Sequence, residues 1–330
     1  MEHTTCLLCG SGDAYPEIET GAQMFTGSQE KFQFVRCASC GLVYLNPRIE
    51  PEELGTYYPS YYLPYRGGEA WGRFAPIAEK GLRITDRRRS RVASRGLRRV
   101  GREVRRSDST MSEASRSEQH LLDVGCGKPS FLATLRDRRP GLRLTGIDFV
   151  SSGWQDTPEK WHGLNLIESE PTHFEPEAGA EPDVITMWHY LEHDYAPKQT
   201  LSRMREISHP RTRLIVEVPD YNSLPRLIYG PNWQGFHAPR HTAIYTRQTL
   251  TGMLRSAGWE VVSHTTAGTL DIYALWWMSA MEKRGIDWSA SMEPRFIRFM
   301  IGRVLTAPLR PLAAVAPLGV QLVEARPGTA

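Results

Sequence analysis

Four groups of residues in this chain have the types and spacing to do chemistry. The first is Leu121-Leu122-Asp123-Val124-Gly125-Cys126-Gly127-Lys128, an apolar run that ends in an acid and then two glycines spaced by one. Such a run reads as a buried parallel strand turning tightly into a helix. The glycines let a ligand lie against the backbone where any Cβ would hold it off. Twenty-five residues after Asp123, a second apolar run (Leu142, Leu144, Gly146, Ile147) ends in Asp148. An acid after the second strand of such a unit accepts hydrogen bonds from a ribose diol. The second group is His189, Glu192 and His193, which close another apolar run, Val184–Trp188. Ligands of open α/β sheets bind beyond the carboxyl ends of the strands, so these side chains come first as candidates for chemistry. A carboxylate can orient an imidazole and raise its basicity, and histidine titrates near neutral pH, so Glu192 and His193 read as a base pair.

The third group is the loop Trp233-Gln234-Gly235-Phe236-His237-Ala238-Pro239-Arg240-His241, just before a helix expected over 246–256. Arg240 could clamp a carboxylate or phosphate in two-pronged fashion, and His237 or His241 could contact the acceptor, His241 standing with Glu192 and His193 as a catalytic candidate. The fourth is a pair of cysteine knuckles, Cys6-Leu7-Leu8-Cys9-Gly10 and Cys37-Ala38-Ser39-Cys40-Gly41, with 27 residues between Cys9 and Cys37. Two residues between thiolates let both sulfurs reach one tetrahedral ion, and the following glycine turns backbone N–H groups toward them. Four sulfurs leave no open coordination position, so the expected ion is a structural Zn2+. Phe32–Arg36 and Leu42–Leu45 alternate as short strands, giving a zinc ribbon over residues 1–46. A metal explains how so few residues can fold.

These groups need elements to position them. The apolar runs at 119–124 and 142–148 read as strands and Ser130–Arg138 as the helix after the glycine turn; a family resemblance implies that 165–170, 183–188, 214–219, 258–262 and 319–325 are the other strands of a sheet of seven. The predicted fold class is α/β: a seven-stranded Rossmann-like sheet, a small N-terminal zinc ribbon and a C-terminal helical insert. The predicted organisation is the ribbon (1–46), a tyrosine-rich lid, Arg-rich helix and flexible linker (47–118), the core (119–265), the helical insert (266–318) and the last strand (319–326). Tyr57-Tyr58-Pro59-Ser60-Tyr61-Tyr62 puts four phenols in six residues. Tyr61 and Tyr62 are the lid side chains expected to meet the acceptor.

The D-V-G-C-G turn, the D-V-I…L-E-H strand end at 183–193 and the later strand segments, in this order, resemble class I S-adenosylmethionine (SAM) methyltransferases. The resemblance implies that Asp123, Gly125, Cys126, Gly127, Asp148, Phe149, Trp188 and His189 line a SAM site. It also implies an antiparallel seventh strand. The chain departs from that pattern at Pro129, where the family has a third glycine, and at Asn165–Glu170, which lacks the usual Gly-Asp, leaving Glu168 or Glu170 for the adenine amino group. A ribbon, a tyrosine cluster and this core together resemble the C-methyltransferases of nucleotide-linked deoxysugars. That implies a Glu192–His193 base, a tyrosine contributed to the site, and a small-molecule acceptor such as a nucleotide-sugar. Transfer to O or N of another metabolite, an RNA base methyltransferase, and a SAM-binding protein with non-methylating chemistry are the other readings.

Composition narrows these. The net charge is +3, and residues 1–46 hold only Lys31 and Arg36 as basic side chains, which argues against a nucleic-acid partner. Eleven arginines fall within Arg83–Arg106, a solvated helix face or a docking patch, followed by the polar stretch Ser107–Glu118, read as a linker. No apolar run reaches the ~18 residues of a membrane span, and no N-terminal segment resembles a signal peptide. Five cysteines, four in a metal pattern, fit a reducing compartment, so the expected location is the cytoplasm. The apolar 270–281 and 296–318 segments are expected to cover one side of the site or to form a homodimer surface.

Overall fold

The computed structural model describes residues 1–107, 118–177 and 179–328. The expected linker therefore lies, apart from its ends, outside the described residues. Four strands, β1 (Ala14–Gly21), β2 (Lys31–Cys37), β3 (Val43–Leu45) and β9 (Ala243–Ile244), form an antiparallel sheet in that order. The remaining strands are β4 (His120–Val124), β5 (Arg143–Asp148), β6 (Asn165–Glu168), β7 (Val184–Trp188), β8 (Arg213–Pro219), β10 (Trp259–Thr265) and β11 (Val320–Pro327). They form a seven-stranded sheet in the order β10-β11-β8-β7-β4-β5-β6. Strands β4 to β8 are parallel, and β11 runs antiparallel between β8 and β10.

The central strands read as they do because both faces are covered. Every residue of β4, β7 and β8 is buried, which a parallel sheet flanked by helices demands of its strands. The flanking helices are α2 (Ala75–Ser107), α3 (Ser130–Arg138), α4 (Pro197–Glu206) and α6 (Arg247–Ser256), with short α1 (Leu63–Arg66) and α5 (Leu224–Tyr229) elsewhere. Helix α6 starts with a reciprocal cap between Thr246 and Thr249. Helix α3 begins after Pro129, whose missing N–H costs nothing at a helix start.

The Arg-rich helix α2 is not simply a solvated rod. Its buried Ala93, Leu97 and Val100 pack with Leu121, Val184 and neighbours on the sheet, and Gly96 approaches Val184 closely enough that a Cβ would crowd it. Several arginines find partners: Arg88 donates to the carbonyls of Thr269 (3.2 Å) and Leu270 (3.4 Å), and Arg99 pairs with Glu324.

The small sheet shares a core with the large one. Cys6, Val35, Cys37, Leu42 and Tyr44 pack in one cluster with Leu250, Met253 and Val218. Strand β9, which follows the Trp233–His241 loop, completes the small sheet through pairing with Val43 and Tyr44. Between β10 and β11 the chain forms α7 (Ile272–Lys283), capped by Asp271, and α8 (Phe296–Thr306). Trp71, Phe74, Trp277, Phe296 and Phe299 hold these helices to the Gly67–Phe74 segment that leads into α2, with Phe74 and Phe296 stacked at 4.3 Å. Among the described residues no helix is long and apolar enough to cross a membrane.

Candidate functional site

The glycine turn leaves the carboxyl end of β4. The N–H groups of Gly125 and Cys126 both reach the Ile147 carbonyl (2.9 and 3.1 Å), and Gly127 N–H donates to Asp148 Oδ2 at 2.8 Å. Gly125 has φ of 70° and Gly127 of 47°, the left-handed region that glycine enters freely. A Cβ on Gly125 would also strike the Tyr190 ring. Asp123 is buried and accepts from Thr186 Oγ1 at 2.6 Å; burial pushes its carboxyl up to about 7, against that bond and the Arg89 charge. Burial also raises Asp148, opposed by the Gly127 N–H. Phe149, expected against the donor, is exposed at 53% beside this turn. Trp188 is buried, meets Phe131 edge-on, and carries the Arg89 guanidinium 5.4 Å from its ring.

At the end of β7, His189 adopts φ of 56° and its imidazole sits between two buried carboxylates: Nδ1 is 3.0 Å from Glu192 Oε1, and Nε2 is 3.1 Å from Glu217 Oε1. Burial opposes its charge, but the two carboxylates outweigh it and hold the imidazole at about 9. Glu192 therefore serves His189. The expected orientation of His193 by Glu192 does not occur; His193 Nδ1 instead faces the Arg240 carbonyl at 3.1 Å, with Tyr58 Oη at 3.4 Å.

A carbonyl only accepts, so His193 carries its proton on Nδ1 and presents Nε2 as a lone pair. His241 repeats the arrangement, with Nδ1 2.9 Å from the Gly235 carbonyl. The two rings lie 4.4 Å apart and perpendicular, and His237 lies 5.0 Å from His241. Burial lowers all three, so they are neutral. His237 is held at φ of 41°, and its Nε2 is 2.6 Å from the Tyr62 hydroxyl.

Arg240, expected to clamp an acceptor anion, is fully buried. Its two terminal nitrogens donate to the carbonyls of Tyr57 and Gln23, and its plane lies 4.7 Å from the Tyr62 ring. Both prongs are spent on backbone, so the clamp faces inward. The tyrosine segment divides by spacing. Tyr58, Tyr62 and Tyr65 pack ring against ring, and the hydroxyls of Tyr58 and Tyr62 reach His193 and His237. Tyr57 and Tyr61 turn to Phe25, and Tyr61 Oη accepts from Thr26 N–H at 3.2 Å. Tyr61 is thus parted from the cluster. The sequence reading passed over Tyr58, Tyr65 and Glu217; the i, i+4, i+7 spacing of the three tyrosines was the available signal for the first two.

Cys6, Cys9, Cys37 and Cys40 converge, with Cys6–Cys40 sulfurs 3.4 Å apart and Cys9–Cys37 sulfurs 3.5 Å apart. Gly10 and Gly41, at φ of 74° and 76°, return their N–H groups to the Cys6 and Cys37 carbonyls. Sulfurs bound 2.3 Å from one tetrahedral ion lie about 3.8 Å apart, so the four thiols fit such an ion with little movement.

A doubly wound sheet with a glycine turn and acids at adjacent strand ends defines a nucleotide-binding α/β protein. A family model described as a methyltransferase domain matches residues 87–264, and the chain belongs to that family. It is 26% identical over 106 residues to trans-aconitate 2-methyltransferase of Paracidovorax citrulli (strain AAC00-1), covering 32% of this chain and 41% of that protein. It is 29% identical over 113 residues to an uncharacterized 37.1 kDa protein in transposon TN4556 of Streptomyces fradiae, covering 33% of each. The chain thus spans less than half the length of the curated relatives it matches. Among solved structures it is similar to the 1,6-didemethyltoxoflavin-N1-methyltransferase of Burkholderia thailandensis, with 15% identity, a TM-score of 0.47, and coverage of 96% of this chain and 100% of that one.

Proposed function

We propose that this protein transfers the methyl group of SAM to a small organic acceptor held between the carboxyl ends of β7 and β8 and the Tyr58–Tyr65 segment. One observation carries the reading: the glycine turn and the His189–His193 segment follow the carboxyl ends of adjacent parallel strands, β4 and β7, and the ring of His241 packs against His193 there. In-line displacement needs donor and acceptor to meet at one such place. The backbone of Gly125 to Gly127 and the carboxylates of Asp123 and Asp148 receive the donor, with Phe149, Trp188 and Cys126 around it. SAM supplies the electrophilic methyl. The chain's own residues orient the acceptor and manage its proton.

The finer reading is methylation at carbon, on an acceptor such as a nucleotide-sugar, with O- and N-methylation as the nearest alternatives. Removing a proton from carbon needs a base kept neutral and dry. His193 meets that description, because its Nε2 is a lone pair in a buried site with Tyr58 on one side. Tyr62 and His237, joined through a hydrogen bond, form the other wall. The four-cysteine site is proposed to hold a structural Zn2+, tying the ribbon to β9 and so to the loop that carries His237 and His241.

The test is turnover of SAM to S-adenosylhomocysteine with a panel of nucleotide-sugars and other metabolites. A general base contributes on the order of 10²–10⁴-fold, so His193→Ala is expected to lose that much turnover while binding SAM normally. Unchanged turnover in the variant removes His193 from the role.

A further inference from the structure

We propose that Glu192, His193 and His241 bind one divalent first-row transition cation beside the acceptor. The inference rests on the methyl-transfer reading and changes how His193 serves it, because a cation on Nε2 would take the place of a proton there. One ligand atom from each of the three residues lies within 4.8 Å of the others. Each imidazole gives Nδ1 to a backbone carbonyl, Arg240 for His193 and Gly235 for His241. That is the arrangement by which metal-bound histidines are held in one tautomer and one orientation, with Nε2 toward the ion. Neither Nε2 has a hydrogen-bond partner among the described residues.

The carboxylate gives the independent observation. Glu192 is fully buried, and only Oε1 is used, by His189; Oε2 has no partner. A buried carboxylate oxygen without a donor is costly, and this carboxylate has an oxygen within 4.8 Å of a ring nitrogen of both His193 and His241. Two nitrogens and one oxygen favour Zn2+, Fe2+, Mn2+ or Co2+ over Ca2+ and Mg2+, and three protein ligands leave coordination positions for an oxygen of the acceptor. The Arg240 guanidinium and the charged His189 oppose a cation, although Arg240 is turned toward the carbonyls of Tyr57 and Gln23. The site therefore binds less tightly than the four thiolates.

The experiment titrates the full chain, its four-cysteine site already filled with Zn2+, with Co2+. Visible absorption reads nitrogen- and oxygen-ligated cobalt, and thiolate charge-transfer bands report any exchange at the cysteines. The expected result is one Co2+ per chain without thiolate bands, lost in both Glu192→Gln and His241→Asn. His241→Asn keeps a donor for the Gly235 carbonyl while removing Nε2, and retained zinc with a parental unfolding profile establishes that each variant is folded. No uptake, uptake with thiolate bands only, or equal uptake by the variants overturns the cation site. SAM binding and turnover in that case leave the methyl-transfer reading standing with His193 as its base. Cobalt bound in a protein that takes no SAM would instead sink the methyl-transfer reading.

Discussion

Replacing Asp123 by Asn is expected to make the protein more stable, and increasingly so as pH rises. Burial holds the Asp123 carboxyl at about 7, against 3.8 for a free side chain. Between those values the unfolded chain has released a proton that the folded chain still holds. The folded pKa is raised, so the stability contribution is present at low pH and is lost as pH climbs from about 4 to 7. At 1.36 kcal/mol per unit, the full loss is about 4 kcal/mol, and about 3 kcal/mol of it falls above pH 5. Asparagine is neutral and nearly the same shape, and its Oδ1 can still accept from Thr186. Urea unfolding of both proteins without SAM, at pH 5 and pH 8, measures the difference. The gap in favour of Asp123→Asn should widen by about 3 kcal/mol between the two pH values. A constant gap, or a variant less stable than the parent at pH 8, would refute the argument that burial of this charge is an uncompensated cost. The same variant should bind SAM more weakly, which is the reason to keep the acid.

Other perturbations separate binding from architecture. Gly125→Ala places a Cβ in the Tyr190 ring and forces alanine to φ of 70°, so SAM affinity should fall about tenfold or more by calorimetry; an unchanged Kd contradicts the role given to the turn. Cys37→Ser should release the bound metal, read by elemental analysis, and lower the melting temperature of the whole chain, because Cys37 shares a core with Leu250 and Met253; a variant that keeps its metal and its melting temperature counts against the four-cysteine site. Arg240→Met strands the carbonyls of Tyr57 and Gln23 and should cost roughly 2–6 kcal/mol in denaturant unfolding. Parental stability with lost acceptor binding would return Arg240 to the clamp role.

What could be read from the sequence was what local patterning controls. The apolar runs that end in Asp123 and Asp148 announced buried parallel strands because both of their faces are covered, and the glycines announced a turn that only they could make. The paired cysteines met as their spacing required. The misjudged side chains are those whose partners come from distant elements. Nothing near Glu192 in the chain marks His189, rather than His193, as its partner, because the choice is set by Glu217 across the strand pair and by the left-handed backbone at His189. Arg240 looked like a ligand clamp because the carbonyls it binds, at Gln23 and Tyr57, lie some two hundred residues earlier. Tyr58 was within reach of pattern reasoning, since it shares a face with Tyr62 and Tyr65, whereas Tyr61 falls on the opposite face with Phe25.

The central claim is that the turn at Gly125–Gly127 and the acids at Asp123 and Asp148 form a SAM site despite Pro129 and the short β6. Calorimetric titration of the full chain with SAM and with S-adenosylhomocysteine tests it most directly. One equivalent of each should bind, with Kd on the order of 1–100 µM. Binding of neither, in a protein whose unfolding profile shows it folded, would contradict the account.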